Sequence, residues 1–252
     1  MIYKIKLINY TNKKKLLHFQ TKWKIQHDDN AKFSLIFNKN RIELNNHVIN
    51  TKKNIWIDFN YKKMVLHQSD QKIKMIQAIG IKKNFFPNIV DATTGLGKDA
   101  FIFFSYGCHV TMIERNPIIS ILLDDGLKRS YQDNKIQHLI KQRMQLIYNT
   151  SLNIHQLNIK KPDVIYLDPM FPKLKKKALS KKTIRTIQDI VGNDTDSHLL
   201  LPICLLFAKN RVVVKRPKKS NHVANIKPNY IIETKKHRFD IYLTKKNTKI
   251  YY

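Results

Sequence analysis

The segment Asp91-Ala-Thr-Thr-Gly95-Leu-Gly97-Lys98-Asp99 places two glycines between two carboxylates, and Glu114 follows 23 residues after Asp91. Glycines at a turn let a ligand approach the backbone closely, and an acid at the end of the next strand is placed to hold ribose hydroxyls. Gly95-Leu-Gly97-Lys-Asp-Ala100 also fits the dinucleotide fingerprint, so a nicotinamide dinucleotide is one candidate ligand. Charge separates the candidates. A pyrophosphate on a helix N-terminus wants N–H donors and positive potential, and Asp91 and Asp99 would repel it. S-adenosylmethionine carries an ammonium and a sulfonium, which carboxylates attract. The turn therefore favours the methyl donor, against the plainer alternative that Asp99 is a first-turn acid stabilised by its helix dipole.

A second segment, Asp168-Pro169-Met170-Phe171-Pro172, follows the apolar run Val164-Ile-Tyr-Leu167. Ligands of open α/β sheets bind at the carboxyl ends of such strands. A segment of the Asp-Pro-Pro-Tyr kind suits methyl transfer to an exocyclic amine. The Asp168 carboxylate and the Pro169 carbonyl accept N–H bonds, and the Phe171 ring stacks on an unstacked base. Alignment of the amine and acceptors for developing positive charge carry such a reaction without a strong general base. Standing alone, the segment would be no more than a turn with a capping Asp and a buried Phe.

Basic residues crowd the same region. Lys173, Lys175, Lys176 and Lys177 follow the second segment, and Lys215-Arg216 follow Val212-Val-Val214, on the same expected rim of the sheet. Forty-seven Lys and Arg against 18 Asp and Glu leave a formal charge of +29, which favours a polyanion partner through counterion release. Part of that surplus is compositional, since Lys, Ile and Asn are abundant everywhere. The clustered part is expected to grip RNA phosphates.

The elements that must position these groups are read from periodicity and punctuation. Met1–Ile8, Lys32–Phe37 and Ile55–Tyr61 have the mixed β-branched and aromatic character of short strands, with turns at Asn38–Asn40 and Asn45-Asn46. They define a small β-rich N-terminal unit, residues 1–66. A helix is expected near Asp70–Ile81. From Asn88 onward strands and helices alternate, which argues for a parallel sheet covered on both faces. Strands are expected at Ile89-Val90, Val110–Ile113, Gln145–Tyr148, Asp163–Leu167, Arg211–Val214, Tyr230–Glu233 and Phe239–Leu243. Helices are expected at Ala100–Phe104, after an Asn116 cap with Pro117 at its first position, and near Lys135–Met144, Ser180–Val191 and Ser197–Ala208.

Several classes are disfavoured. Cys108 and Cys204 lack metal-ligand spacing and the ten histidines show no H-x-x-x-H pattern, so no metal site is expected. The charged opening Met1-Ile-Tyr-Lys-Ile-Lys and a longest apolar run of Leu199–Ala208 suggest neither signal peptide nor membrane span. A cytoplasmic protein with no membrane and no obligate protein partner is the expectation.

Taken in order, Asp91–Ala100, Glu114-Arg115-Asn-Pro117, Leu122-Leu-Asp-Asp-Gly-Leu127, Tyr166-Leu-Asp-Pro-Met-Phe-Pro172, Val212–Pro217 and His237-Arg-Phe-Asp-Ile-Tyr242 resemble the ribosomal RNA small-subunit methyltransferase J family. The resemblance covers roughly residues 55–243. It implies a Rossmann-like class I methyltransferase domain over residues 67–252, using S-adenosyl-L-methionine to methylate the N2 amine of a guanosine in 16S rRNA or the small ribosomal subunit. It also implies a donor site drawn from Asp91, Gly95, Gly97, Lys98, Asp99, Glu114, Arg115, Thr150, Ser151 and Asp168. Lys98 stands where the family usually has Arg, and His67–Lys74 replaces a Gly/Arg-rich stretch. Two other readings remain open on sequence: an RNA-binding assembly factor with a vestigial donor pocket, and an amino-methyltransferase acting on adenine in DNA.

Overall fold

The computed structural model describes residues 2–10, 13–48, 54–59, 69–134, 136–170, 182–192 and 196–244, with backbone alone at 13–15 and 182–184. Its centre is a seven-stranded sheet. Five parallel strands, β5 (Ile89–Asp91), β6 (Val110–Glu114), β7 (Met144–Tyr148), β8 (Val164–Leu167) and β9 (Arg211–Pro217), lie in the order β9-β8-β5-β6-β7. Two antiparallel strands extend the β9 edge, first β11 (His237–Leu243) and then β10 (Tyr230–Glu233). The chain runs outward from β5 to β6 and β7, then returns to β8 on the other side. That reversal opens a crevice above the carboxyl ends of β5 and β8, where doubly wound sheets bind ligands.

Apolar side chains of the parallel strands point to both faces and define two cores. One face carries Ile89, Val110, Met112, Tyr166 and Val213, joined by Phe239 of β11 and packed with Phe101, Phe103 and Met75 from the helices. The other carries Val90, Ile113, Ile165, Leu167, Val212 and Val214, packed with Leu201 and Cys204. Burial on both faces is why these strands read as continuous apolar runs rather than as alternating ones. The helices are α2 (Asp70–Ile79), α3 (Lys98–Ser105), α4 (Pro117–Ser130), α5 (Gln137–Arg143), α6 (Lys182–Val191) and α7 (Ser197–Phe207). Asn116 caps α4 as its sequence suggests: its Oδ1 accepts from the N–H groups of Ile118 and Ile119, at 2.9 and 3.2 Å. Among the described residues no helix is long and apolar enough to cross a membrane.

The N-terminal segment departs from the expected string of strands. β1 (Tyr3–Ile8) is followed by a helix, α1 (Lys13–Trp23), then β2 (Ile25–His27), β3 (Phe33–Phe37) and β4 (Ile42–Asn46). They form a sheet of order β2-β1-β3-β4. Leu16, Phe19 and Trp23 recur at helical spacing in α1, and Trp23 buries against Tyr148 with ring centroids 5.6 Å apart. Asn45-Asn46, read as a turn, belongs to β4. Asn46 is buried because its amide donates to Thr186 Oγ1 of α6 at 3.3 Å, a distant partner that offsets the usual cost of Asn in a strand. Ile55 makes only an isolated bridge to Leu44; Tyr61, at the far end of that expected strand, lies outside the described residues. Ile5, Leu35 and Leu44 of this sheet join the same apolar cluster as Phe101 and Leu122.

Candidate functional site

Above the reversal lies a cavity of about 730 Å³, within the range of roughly 300–1,000 Å³ usual for cofactor sites. The ends of five strands supply its floor. Asp91 closes β5 and Glu114 closes β6, Thr150 and Ser151 follow β7, Asp168 and Pro169 follow β8, and Lys215 rises from β9. Gly95, Lys98 and Asp99 enter from the turn between β5 and α3, and Arg115 from the loop after β6.

The turn is built by backbone constraint. Gly95 and Gly97 have φ of +52° and +70°, a region that costs L side chains energy. Gly97 caps the start of α3, and a Cβ there would lie 2.8 Å from Leu123 Cδ2. Its side of the turn faces the protein: it supplies conformation and close packing of α3 on α4. Gly97→Ala is expected to lower stability by about 1–3 kcal/mol through strain and overpacking. Urea unfolding would check this, and an unchanged midpoint would refute it.

Glu114 braces the turn from the neighbouring strand. Its Oε2 accepts the Gly95 N–H at 2.9 Å and its Oε1 accepts the Asn116 N–H at 2.7 Å. A carboxylate has about four acceptor positions, so it can hold the turn and still accept from ligand hydroxyls. Thr93 links the two motifs: its N–H donates to Asp91 Oδ1 at 3.2 Å, and its Oγ1 accepts the Asp168 N–H at 2.6 Å. Ser151 Oγ donates to the Ala92 carbonyl at 2.6 Å, and Thr150 caps the short 3-10 segment Ser151–Gln156. Arg115 pairs with Asp196 at 2.5 Å on the opposite wall.

Electrostatics in the floor are dominated by enclosed carboxylates. Burial, followed by the charge of Asp99, pushes the Asp91 carboxyl well above the ordinary carboxylate range. Burial also raises Asp168, although the Lys215 ammonium opposes it. Lys215 Nζ lies 2.9 Å from Asp99 Oδ2 and 2.8 Å from Asp168 Oδ2, and the Tyr166 hydroxyl donates to the same Asp99 oxygen at 2.7 Å. Burial works against the charge on Lys215, but Asp168 and Asp99 outweigh it and raise its pKa.

Two of the expected phosphate-gripping residues are therefore placed elsewhere. Lys215 has a side chain only 12% exposed and belongs to the cavity floor. Arg216 projects to the other sheet face, is buried, and donates to the Asn221 carbonyl. β9 continues to Pro217, so neighbouring residues alternate faces rather than forming one basic rim. Phe171, Lys173, Lys175, Lys176 and Lys177 lie outside the described residues. Tyr166, Thr93 and Met170, together with Ile187 and Val191 from α6, Leu200 from α7 and Asp196 just before it, also line the cavity without having been singled out as site residues in the sequence. Ile187 and Val191, four apart on α6, carried the signal of an inward helical face.

A model of the SAM-dependent methyltransferase family matches residues 18–244. The chain is 44% identical over 240 residues to Ribosomal RNA small subunit methyltransferase J of Buchnera aphidicola subsp. Schizaphis graminum (strain Sg), covering 94% of this chain and 96% of that protein. It is 43% identical over 224 residues to the protein of the same name from Photorhabdus laumondii, covering 88% and 91%. The chain belongs to the methyltransferase J family. A solved SAM-dependent methyltransferase from Neisseria gonorrhoeae, 25% identical, superposes with a TM-score of 0.73 over 96% of each chain. The fold is that of a class I methyltransferase. The methyltransferase J cavity fits the family's donor chemically. The carboxylates of Asp99 and Asp168 suit a cationic end, Glu114 suits ribose hydroxyls, and apolar Ile113 and Leu200 offer walls for an adenine ring.

Proposed function

We propose that this chain transfers a methyl group from S-adenosylmethionine to the exocyclic N2 amine of a guanosine in 16S rRNA, acting in the cytoplasm on the RNA or on the small ribosomal subunit. The observation that carries the reading is the junction of a carboxylate-lined cavity with Asp168-Pro169 at the end of β8. The 44% identity to a protein named Ribosomal RNA small subunit methyltransferase J supports the RNA substrate.

When bound, S-adenosylmethionine supplies an electrophilic methyl group on its sulfonium. The residues of the chain bind and orient. Glu114 accepts from the ribose, with Thr150 and Ser151 beside it; Asp91, Lys98, Asp99 and Arg115 complete the pocket. Asp168 and the Pro169 carbonyl accept the two N–H bonds of the target amine, which turns the nitrogen lone pair into the cavity. The same acceptors draw off the positive charge that develops on that nitrogen. Phe171 stacks on the base, and Lys173, Lys175, Lys176 and Lys177 hold flanking phosphates.

Purified protein incubated with methyl-labelled donor should label small-subunit RNA and leave duplex DNA unlabelled, and nucleoside digestion should return N2-methylguanosine. Label in another nucleoside would move the target, and no transfer to RNA would refute the reading.

A further inference from the structure

Lys215 is the cation that the two motifs leave unexplained. It reaches the cavity from β9, a strand that contributes no other lining residue, and its ammonium bridges carboxylates from two different elements. Strand register fixes its origin: Val214 pairs with Leu167, which puts Lys215 level with Asp168, and Phe239 of β11 holds it from the other side. We propose that Lys215 is the positioning residue of the amine-accepting carboxylate: clamped between Asp99 and Asp168, its ammonium aims Asp168 Oδ2 and keeps that carboxylate ionised as the target base closes the cavity. The inference rests on the proposed amine methylation.

The physical need is specific. Asp168 must be an anion to accept both orientation and developing charge from an amine. Among the described lining residues the other cations are Lys98 of α3 and Arg115, the latter paired with Asp196; the acidic groups around Asp168 work against its ionised state. Asp99 of α3 and Asp91 of β5 repel a further negative charge, and Glu114 of β6 adds a fourth carboxylate to the floor. The Tyr166 hydroxyl of β8 donates to Asp99 rather than to Asp168. His237, at the start of β11, is disfavoured as a cation by burial and then by Lys215. A base entering the cavity removes water and strengthens each of these effects. One ammonium shared between Asp99 and Asp168 offsets them and stays charged because both carboxylates hold it.

The sign of the test follows. Methyl transfer rises with pH as Asp168 ionises and then levels off. Removing the ammonium raises the Asp168 carboxyl further, so Lys215→Met moves the midpoint of that acidic limb up by about one pH unit or more. On the acidic limb itself transfer should fall about tenfold relative to wild type at a given pH, while most of the loss is recovered on the plateau. Lys215→Gln, which can still hydrogen-bond both carboxylates, shows the same shift if the methionine variant does not fold. Lys215→Arg keeps the limb near its wild-type position. Binding of S-adenosylhomocysteine, measured by calorimetry at about pH 9, should be retained or tightened, weakening by no more than about threefold, since the variant frees Asp99 for the donor's ammonium.

An acidic limb that stays in place in both Lys215→Met and Lys215→Gln overturns the assignment. A loss equal at all pH values and matched by lost donor binding also overturns it, making Lys215 only a part of the donor pocket. Wild-type transfer to small-subunit RNA is scored first and separately. Its absence would refute the amine-methylation reading, whereas an unmoved limb in an active enzyme refutes the role of Lys215 alone.

Discussion

Asp168→Ala is expected to lower the rate of methyl transfer about 10²–10³-fold at saturating donor, the range seen when one preorganised electrostatic group is removed. The side chain sits at the carboxyl end of β8, its N–H anchored on Thr93 and its Oδ2 on Lys215. Truncation removes the acceptor that orients the amine and leaves Lys215 paired with Asp99 alone. That ammonium, now compensated by one carboxylate instead of two, faces the site where positive charge develops, which raises the barrier beyond the simple loss of an acceptor. Asp168→Asn separates the two effects. The amide keeps one acceptor oxygen without the charge, so a loss of about tenfold or more in this variant reports the charge itself. Single-turnover methylation of small-subunit RNA measures both. A variant Asp168→Ala within about threefold of wild type would remove Asp168 from the chemistry.

The parts of this site that the sequence displays are those set by local backbone constraint. Gly95 and Gly97 must adopt left-handed conformations, Asn116-Pro117 can only open a helix, and Val164–Leu167 is too apolar to face water. Each of these is decided within a few residues. Lys215 is not local in this sense. In the string Val214-Lys-Arg-Pro-Lys-Lys219 it looks like one of a solvated basic cluster, and only the length of β9 tells otherwise. A strand that runs to Pro217 sends Lys215 to the cavity face and Arg216 to the opposite one, whereas a strand ending at Val214 would release both. Antiparallel pairing with β11, from His237 opposite Pro217 to Leu243 opposite Arg211, supplies that extra length. Likewise α1 opens on the lysine run Lys13-Lys-Lys15, and its apolar stripe of Leu16, Phe19 and Trp23 becomes compelling only with Tyr148 to pack against.

The sheet face that bears Arg216 and Arg238 carries the largest expected effect on stability. Asp240 is fully buried and accepts from Arg238 Nε at 2.7 Å through Oδ1 and from Arg238 Nη2 at 3.2 Å through Oδ2, and His222 Nδ1 lies 2.9 Å from Oδ2. Arg238 Nη1 donates in turn to the Lys218 carbonyl at 2.7 Å, and the Arg216 guanidinium donates to the Asn221 carbonyl. These bonds tie the connection between β9 and β10 onto the sheet, and with it the strand that carries Lys215. Asp240→Ala leaves two guanidinium groups close together in a buried place with their carboxylate gone. A loss of about 3–5 kcal/mol is expected, because an uncompensated buried charge costs more than the pair contributes when intact. The same reasoning predicts that adding Arg238→Met to Asp240→Ala restores part of the loss, since the double variant buries one charge fewer. Denaturant unfolding of the two single variants and the double gives the coupling directly. A loss below about 1 kcal/mol in Asp240→Ala would mean that water reaches Arg238 freely. A double variant as unstable as the sum of the singles would mean that the two side chains act independently, and the connection would then be held by Arg216 and the Tyr242 bond to the Ile226 carbonyl instead.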